Sequence, residues 1–254
     1  MNSIYKTLLP VVIAVCFSGG IVRATGPGKG NAGAIKLTRI LVYSKTTGFR
    51  HDCIPSGKLA LIKMGQEHGF AVDTTENAEA FTVENLKKYQ VVVFLCTTHR
   101  VLDTVQKAAF AAWLHRGGGF VGIHAATDTE YGWPYYNKLV GAWFVGHPGP
   151  KNVRTGTLHV TDTKAIPTRG MPGEFVRTDE WYNFKDIQPD NHVLVTIDQT
   201  TYDFGTDKQH PVSWTRSFDG ARIFYTSMGH TKETYSEPLF LNHLWGGIRF
   251  VTGN

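Results

Sequence analysis

The run Val91-Val92-Val93-Phe94-Leu95 contains no polar position. A strand with one wet face alternates apolar and polar residues, so an unbroken run of this kind marks a strand covered on both faces. Such strands belong to parallel sheets, and neighbouring parallel strands need long crossovers, usually helices. The flanking sequence supplies them. Ile40-Leu41-Val42-Tyr43-Ser44 reads as a first strand, residues 57–68 as a helix with Leu59, Leu61, Ile62 and Met64 apolar, closed by Gly69, and residues 70–74 as a second strand. Thr82 caps a short helix over 83–89. Residues 102–115 place Val105, Ala109, Ala112, Trp113 and Leu114 on a broad apolar stripe, and the stretch GGGFVGIHAATD, 117–128, opens with the next strand.

Strand and helix alternate over a hundred residues, which predicts an α/β fold: a doubly wound, mostly parallel sheet with helices on both faces. The second half is less regular. Strands are predicted over 157–161 and 193–198, a hairpin over 212–227 turning at Asp219-Gly220, and a closing helix over 238–249. There is no internal repeat and no interdomain linker, so residues 35–254 read as a single domain.

In a doubly wound sheet, ligands bind outside the carboxyl ends of the strands. The loops after Ser44, Leu95 and Ile123 should therefore share one rim. The turn Gly122-Ile123-His124-Ala125-Ala126 keeps the small-residue spacing of a nucleophile elbow, with a histidine where a Ser or Cys nucleophile would stand. The Gly triplet 117–119 precedes a strand instead of opening a helix, which excludes a phosphate loop or dinucleotide fingerprint; no cofactor motif is evident.

Histidines recur at the predicted loops: His51 in TTGFRHDC, His124 with Asp128 in IHAATD, His147 in FVGHPGP, His210 in KQHPVSW with Trp214 following, and His230 in TSMGHTKETY. RTDEWYNF crowds Asp179, Glu180 and Tyr182 together. Taken singly, a histidine beside Gly or Pro is an ordinary turn residue bonded to backbone, and a Trp-Tyr pair in a loop is ordinary packing. Taken together, several imidazoles and two carboxylates on one rim suit either acid–base catalysis or a bound zinc or other divalent ion. No His-x-x-x-His or Cys-x-x-Cys pair is present to decide between them.

These motifs, with WPYYNKLVGAWFVGHP, DEWYNF, HPVSW and FYTSMGH in the same order, resemble the ThuA-like (trehalose utilisation) family of the class I glutamine amidotransferase-like superfamily. The resemblance runs from about residue 40 to 251. It implies a flavodoxin-like fold and a role in carbohydrate metabolism, alongside oxidoreductases that make 3-keto sugars. It also implies functional roles at His51, His124, His147, Asp179, Glu180, Tyr182, His210 and His230. The reading from residues and family together is a sugar-processing enzyme acting on a glycoside or 3-keto-sugar. His51, His124, Asp179, Glu180 and His230 are its catalytic candidates. Asp128, His147, Tyr182, His210 and Trp214 are candidates to bind the small carbohydrate. The alternative is a non-catalytic carbohydrate-binding or scaffold module on the same fold. Glutamine hydrolysis is disfavoured because the elbow lacks its cysteine.

Residues 1–24 carry Lys6, an apolar run over 8–17 and Val22-Arg23-Ala24, the layout of a secretory signal peptide too short for a comfortable membrane span. Residues 25–34 follow as a Gly-rich leader. The chain is thus expected to be secreted or periplasmic. Removing Lys6 and Arg23 lowers the net charge from +5 to +3, and no Lys/Arg run argues for nucleic acid. Cys53 and Cys96 then remain, as a disulfide or as two separate thiols; both readings stay open.

Overall fold

A computed structural model describes residues 36–253; the signal-peptide and leader assignments lie outside the described residues. Residues Ala34–Asn254 form one compact unit. The parallel half follows the alternation of the sequence. Strand β1 (Arg39–Tyr43) leads to helix α1 (Ile54–His68), β2 (Ala71–Thr75), α2 (Val83–Leu86), β3 (Val91–Leu95), α3 (Thr104–His115) and β4 (Gly119–Ile123). Gly69 ends α1 in the left-handed conformation, at φ 76°. Thr82 caps α2 through the Asn85 amide, and α3 opens on a capping box of Asp103 and Gln106. Helix α2 is shorter than the sequence suggests.

The remaining elements are α4 (Pro134–Val140), β5 (Trp143–Gly146), β6 (Val153–Val160), β7 (Glu174–Glu180), β8 (Asn183–Lys185), β9 (His192–Asp198), β10 (His210–Phe218), β11 (Ala221–Thr226) and α5 (Pro238–Thr252). Nine strands form one sheet in the order β2-β1-β3-β4-β11-β10-β9-β6-β7, while β5 and β8 pair separately. The first five are mutually parallel and the last four join antiparallel, so β9 and β7 again point with the first five and seven of nine share one direction. The predicted hairpin turn has Asp219 at φ 48° and Gly220 at φ 85°, matching the twist of its strands.

Strand alternation divides the core into two layers. Ile40 and Val42 of β1 face a cluster with Leu61 of α1 and Leu244 and Ile248 of α5. Leu41 and Tyr43 face a cluster with Leu86 of α2, Phe110 of α3 and Leu139 of α4. Val91 to Leu95 are all fully buried, as a strand covered on both faces requires.

The segment read as a loop with an aromatic pair is in fact β7 followed by β8. Strand β7 lies at the sheet edge, separated from β4 by β11, β10, β9 and β6. In a flat sheet five interstrand steps would hold the two about 24 Å apart. Glu180 at the end of β7 nevertheless lies 3.1 Å from His124 at the end of β4. The antiparallel half therefore coils back over the carboxyl ends of the parallel half, in keeping with the twist of β-sheets. That coil closes the functional site.

Candidate active site

Four chain segments meet there. The loop after β1 is tied to the one after β3, with the Thr47 amide donating to the Thr98 carbonyl at 3.1 Å and the Thr98 hydroxyl to the Phe49 carbonyl at 3.0 Å. This anchors His51, whose ring is buried and edge-on to those of His124 and His230. His124 follows β4 at φ 53°, a strained conformation for any residue but glycine. A Cβ on the neighbouring Gly122 would meet the Tyr225 ring at 3.0 Å and the Ala126 Cβ at 3.1 Å. The elbow geometry is therefore present, with an imidazole at its apex.

The apex ring is fully buried, and its Nδ1 lies 2.7 Å from the Ser227 carbonyl just past β11. A carbonyl only accepts, so Nδ1 carries a proton and Nε2 turns into the site. Around that Nε2 stand His51 Nε2 at 3.1 Å, Glu180 Oε2 at 3.1 Å, His230 Nδ1 at 3.2 Å and the Tyr182 hydroxyl at 2.9 Å. Glu180 Oε2 also lies 3.0 Å from His230 Nδ1. Its other oxygen accepts from Asn152 and has His147 Nε2 at 3.5 Å. The ligand atoms of His51, His124, Glu180 and His230 all fall within 4.8 Å of one another.

Successive side chains of a strand point to opposite faces, and β7 uses this to give its two acids different work. Glu180 enters the cluster. Asp179 turns away, fully buried, and accepts from the Gly229, His230 and Glu180 amides at 2.9, 3.0 and 3.0 Å and from Arg177 Nε at 3.2 Å. It fixes the His230 loop and β7 against each other and is a positioning residue, not the catalytic group its sequence neighbourhood suggests. Gly229 takes φ 124°, and a Cβ there would lie 2.9 Å from the Tyr235 hydroxyl.

Burial and the neighbouring imidazoles of His124 and His230 push His51 down to about 2, so it is neutral near pH 7. Burial alone would raise the Glu180 carboxyl, but its close contacts with the His124 and His230 imidazoles outweigh it and hold the group well below the ordinary carboxylate range. Burial lowers His230 while Glu180 raises it, and Glu180 prevails. Burial and then the Glu180 charge push the Tyr182 phenol well up, so it stays protonated.

Two members of the cluster, His51 and Glu180, line a pocket of about 140 Å³ together with Phe49, Asp128, Phe144, His147, Asn152 and Tyr182; His124, fully buried, and His230 adjoin Glu180 without lining it. A water occupies roughly 30 Å³ of liquid, so the space suits about one small ring. Asp128 is held by the Tyr131 hydroxyl at 2.6 Å, and burial raises its carboxyl. Besides Asp179, two candidates stand apart from both the cluster and the pocket. His210 Nε2 sits 2.8 Å from the Tyr182 carbonyl and orients that backbone. Trp214 is fully buried and donates to the Val140 carbonyl at 2.9 Å, so it packs the core and offers no sugar platform. The sequence reading missed Phe49, Phe144 and Asn152, the last lying five residues after His147 in a Pro/Gly-rich loop with nothing to mark it. A cleft of about 790 Å³ between α3 and α4 is larger, but Glu130 at its base is spent on the Val101 and Leu102 amides and Lys107. Chemistry, not volume, selects the smaller pocket.

Cys53 and Cys96 are buried free thiols with their sulfurs 3.6 Å apart behind this site. Cys96 follows β3, one strand away from the elbow, and neither thiol occupies the turn. Among the described residues no helix is long and apolar enough to cross a membrane.

Solved structures with the same architecture include a ThuA-like protein of Bacteroides uniformis, 23% identical over 89% of this chain and 95% of that one, with a TM-score of 0.72. A ThuA-like protein of Parabacteroides merdae is 20% identical over 86% and 91%, at 0.69. A glutamine amidotransferase of Thermotoga maritima is 12% identical over 85% and 99%, at 0.54. At these identities the likeness establishes the fold. No curated protein matches the sequence. The family model described as trehalose utilisation matches residues 39–251, nearly the whole of the described chain, and the protein belongs to the ThuA family.

Proposed function

We propose that the protein is an exported sugar-processing enzyme acting on a glycoside or 3-keto-sugar in the pocket lined by His51 and Glu180 and backed by His124 and His230. The observation that carries this reading is the convergence on His124 Nε2 of two imidazoles, a carboxylate and a phenol within 3.2 Å. A fold needs no such concentration of buried polar groups, and burying them is costly unless they serve a purpose. The family's description, trehalose utilisation, supports a carbohydrate. Phe49 and Phe144 on the walls give apolar surfaces for a sugar ring face, which the buried Trp214 cannot offer. The layout of residues 1–24 supports export, and a mature N-terminus at Thr25 would confirm it.

A ketone at C3 acidifies the C2–H bond of a glycoside. A base removes that proton, the C–H pair forms the C1–C2 double bond, and the C1–O bond breaks with its electrons leaving on oxygen, which takes up a proton. His147 at the pocket mouth, beside Glu180 Oε1, is placed to carry the proton. Tyr182 can donate a hydrogen bond to an oxygen gaining charge.

The test incubates the protein with a panel of glycosides and their 3-keto derivatives and follows products by mass spectrometry. Turnover should appear with a keto-glycoside, and His124→Ala and the near-isosteric Glu180→Gln should each abolish it while circular dichroism stays native. Unchanged turnover in both variants sinks the proposal. Sugar binding without product favours the binding-module alternative.

A further inference from the structure

We infer that the four groups clustered at the inner end of this pocket form a mononuclear site for a divalent first-row transition ion. His51 and His124 ligate through Nε2, His230 through Nδ1 and Glu180 through Oε2. The inference rests on this pocket being the reactive centre proposed above, and it says what kind of centre it is.

The argument begins with the proton count at His124. Its Nδ1 proton is committed to the Ser227 carbonyl, so in the neutral ring Nε2 offers one lone pair. That lone pair can accept from one donor, and Tyr182 at 2.9 Å is one. His51 Nε2 at 3.1 Å, Glu180 Oε2 at 3.1 Å and His230 Nδ1 at 3.2 Å remain around the same atom. If Nε2 is protonated instead, its single hydrogen can point at one of the four neighbours. Either way, this nitrogen can make one hydrogen bond, and its other close neighbours at about 3 Å are left unpaired towards it in a buried place. Native proteins pair buried polar atoms almost without exception. A cation at the centre satisfies every one of these atoms at once.

Distances fit that occupant. For metal–nitrogen bonds of about 2.05 Å, ligand atoms stand roughly 2.9 Å apart at right angles and roughly 3.3 Å apart at the tetrahedral angle. The contacts of His51, Glu180 and His230 with His124, and of Glu180 with His230, run from 3.0 to 3.2 Å. The remaining pairs, His51 with Glu180 and with His230, lie within 4.8 Å. Three imidazoles and one carboxylate are a donor set for zinc, manganese, iron or cobalt, and not for calcium or magnesium, which prefer all-oxygen ligands.

The surrounding contacts are those that orient metal ligands. Ser227 fixes the His124 tautomer with Nε2 inward, Asn152 holds the outer oxygen of Glu180, and Asp179 holds the His230 backbone. His51 Nδ1 is buried with no hydrogen-bond partner, so the ring's one engaged edge is the nitrogen that faces the centre.

The experiment uses untagged full-length protein stripped with dipicolinate, then titrated separately with Zn²⁺, Mn²⁺ and Co²⁺ by calorimetry, with bound metal counted by plasma mass spectrometry. One equivalent per chain should bind for at least one ion. Bound Co²⁺ should give visible d–d bands, and the melting temperature should rise with the ion. His51→Ala and Glu180→Gln should each weaken binding at least tenfold and alter the Co²⁺ spectrum, with Asn152→Ala weakening it less. Folded wild-type protein that binds none of the three ions stoichiometrically overturns the inference. So does stoichiometric binding that both ligand variants leave unchanged. Keto-glycoside turnover by a metal-free enzyme would refute this centre and leave the proposed function standing. Metal binding without turnover on any sugar would do the reverse.

Discussion

Asp179→Asn changes one buried oxygen to an amide and should disturb the whole site. The carboxylate receives the His230 and Glu180 amides on Oδ1, and the Gly229 amide and Arg177 Nε on Oδ2, at 2.9 to 3.2 Å. Asparagine keeps one acceptor and presents an NH₂ to donors on the other side, so one pair loses its acceptor whichever way the amide turns. Hydrogen bonds to charged groups contribute about 1.5–3 kcal/mol each, and breaking a buried ion pair costs about 3–5 kcal/mol. Arg177 keeps Glu237 and the Thr234 hydroxyl, which limits the loss, so about 3–5 kcal/mol is the full range. At about 2–4 °C per kcal/mol for a domain of this size, the melting temperature should fall by roughly 6–20 °C. Scanning calorimetry of wild type and variant at one pH and salt measures it, alongside turnover, which should fall as His230 and Glu180 lose their common anchor. A fall of less than about 2 °C with turnover intact would refute the positioning role, because four hydrogen bonds cannot be rearranged that cheaply if they hold the loop.

Two further outcomes follow from the same contacts. Burial lowers the fully buried His243 from 6.5 to about 4, so the unfolded chain binds the proton more readily. Its contribution is therefore full above pH 6.5 and is lost as pH falls towards 4, by about 3 kcal/mol; urea unfolding at pH 7, 5.5 and 4 should show the decline, and a flat profile would contradict it. Trp214→Phe leaves the buried Val140 carbonyl unpaired and should cost about 1–3 kcal/mol of stability with the rate on a keto-glycoside unchanged, whereas a lost rate would return Trp214 to the pocket.

The parallel half of the fold was legible because its signals are local. The Val91–Leu95 run, the Gly69 stop and the Asp219-Gly220 turn each state their conformation within a few residues, and strand alternation then orders the sheet. The carboxyl-end rule placed His51 and His124 on one rim for the same reason. Strand β7 was not legible: its burial alternates from Phe175 to Asp179, but two of those three inward positions are the charged Arg177 and Asp179, so EFVRTDE shows no apolar alternation. Without that strand, nothing showed that Asp179 and Glu180 face opposite ways.

Sequence by itself therefore determined the layer architecture, the family, and the strained turn with a histidine at its apex, all written in contiguous windows by periodicity and turn chemistry. Only the tertiary structure decided which polar residues meet. The coil of the antiparallel half brings Glu180 across an otherwise wide separation to His124, directs Asp179 to the loop amides, and buries Trp214 and His210 behind the site. Those outcomes depend on strand register and accumulated twist, which no short stretch of sequence encodes.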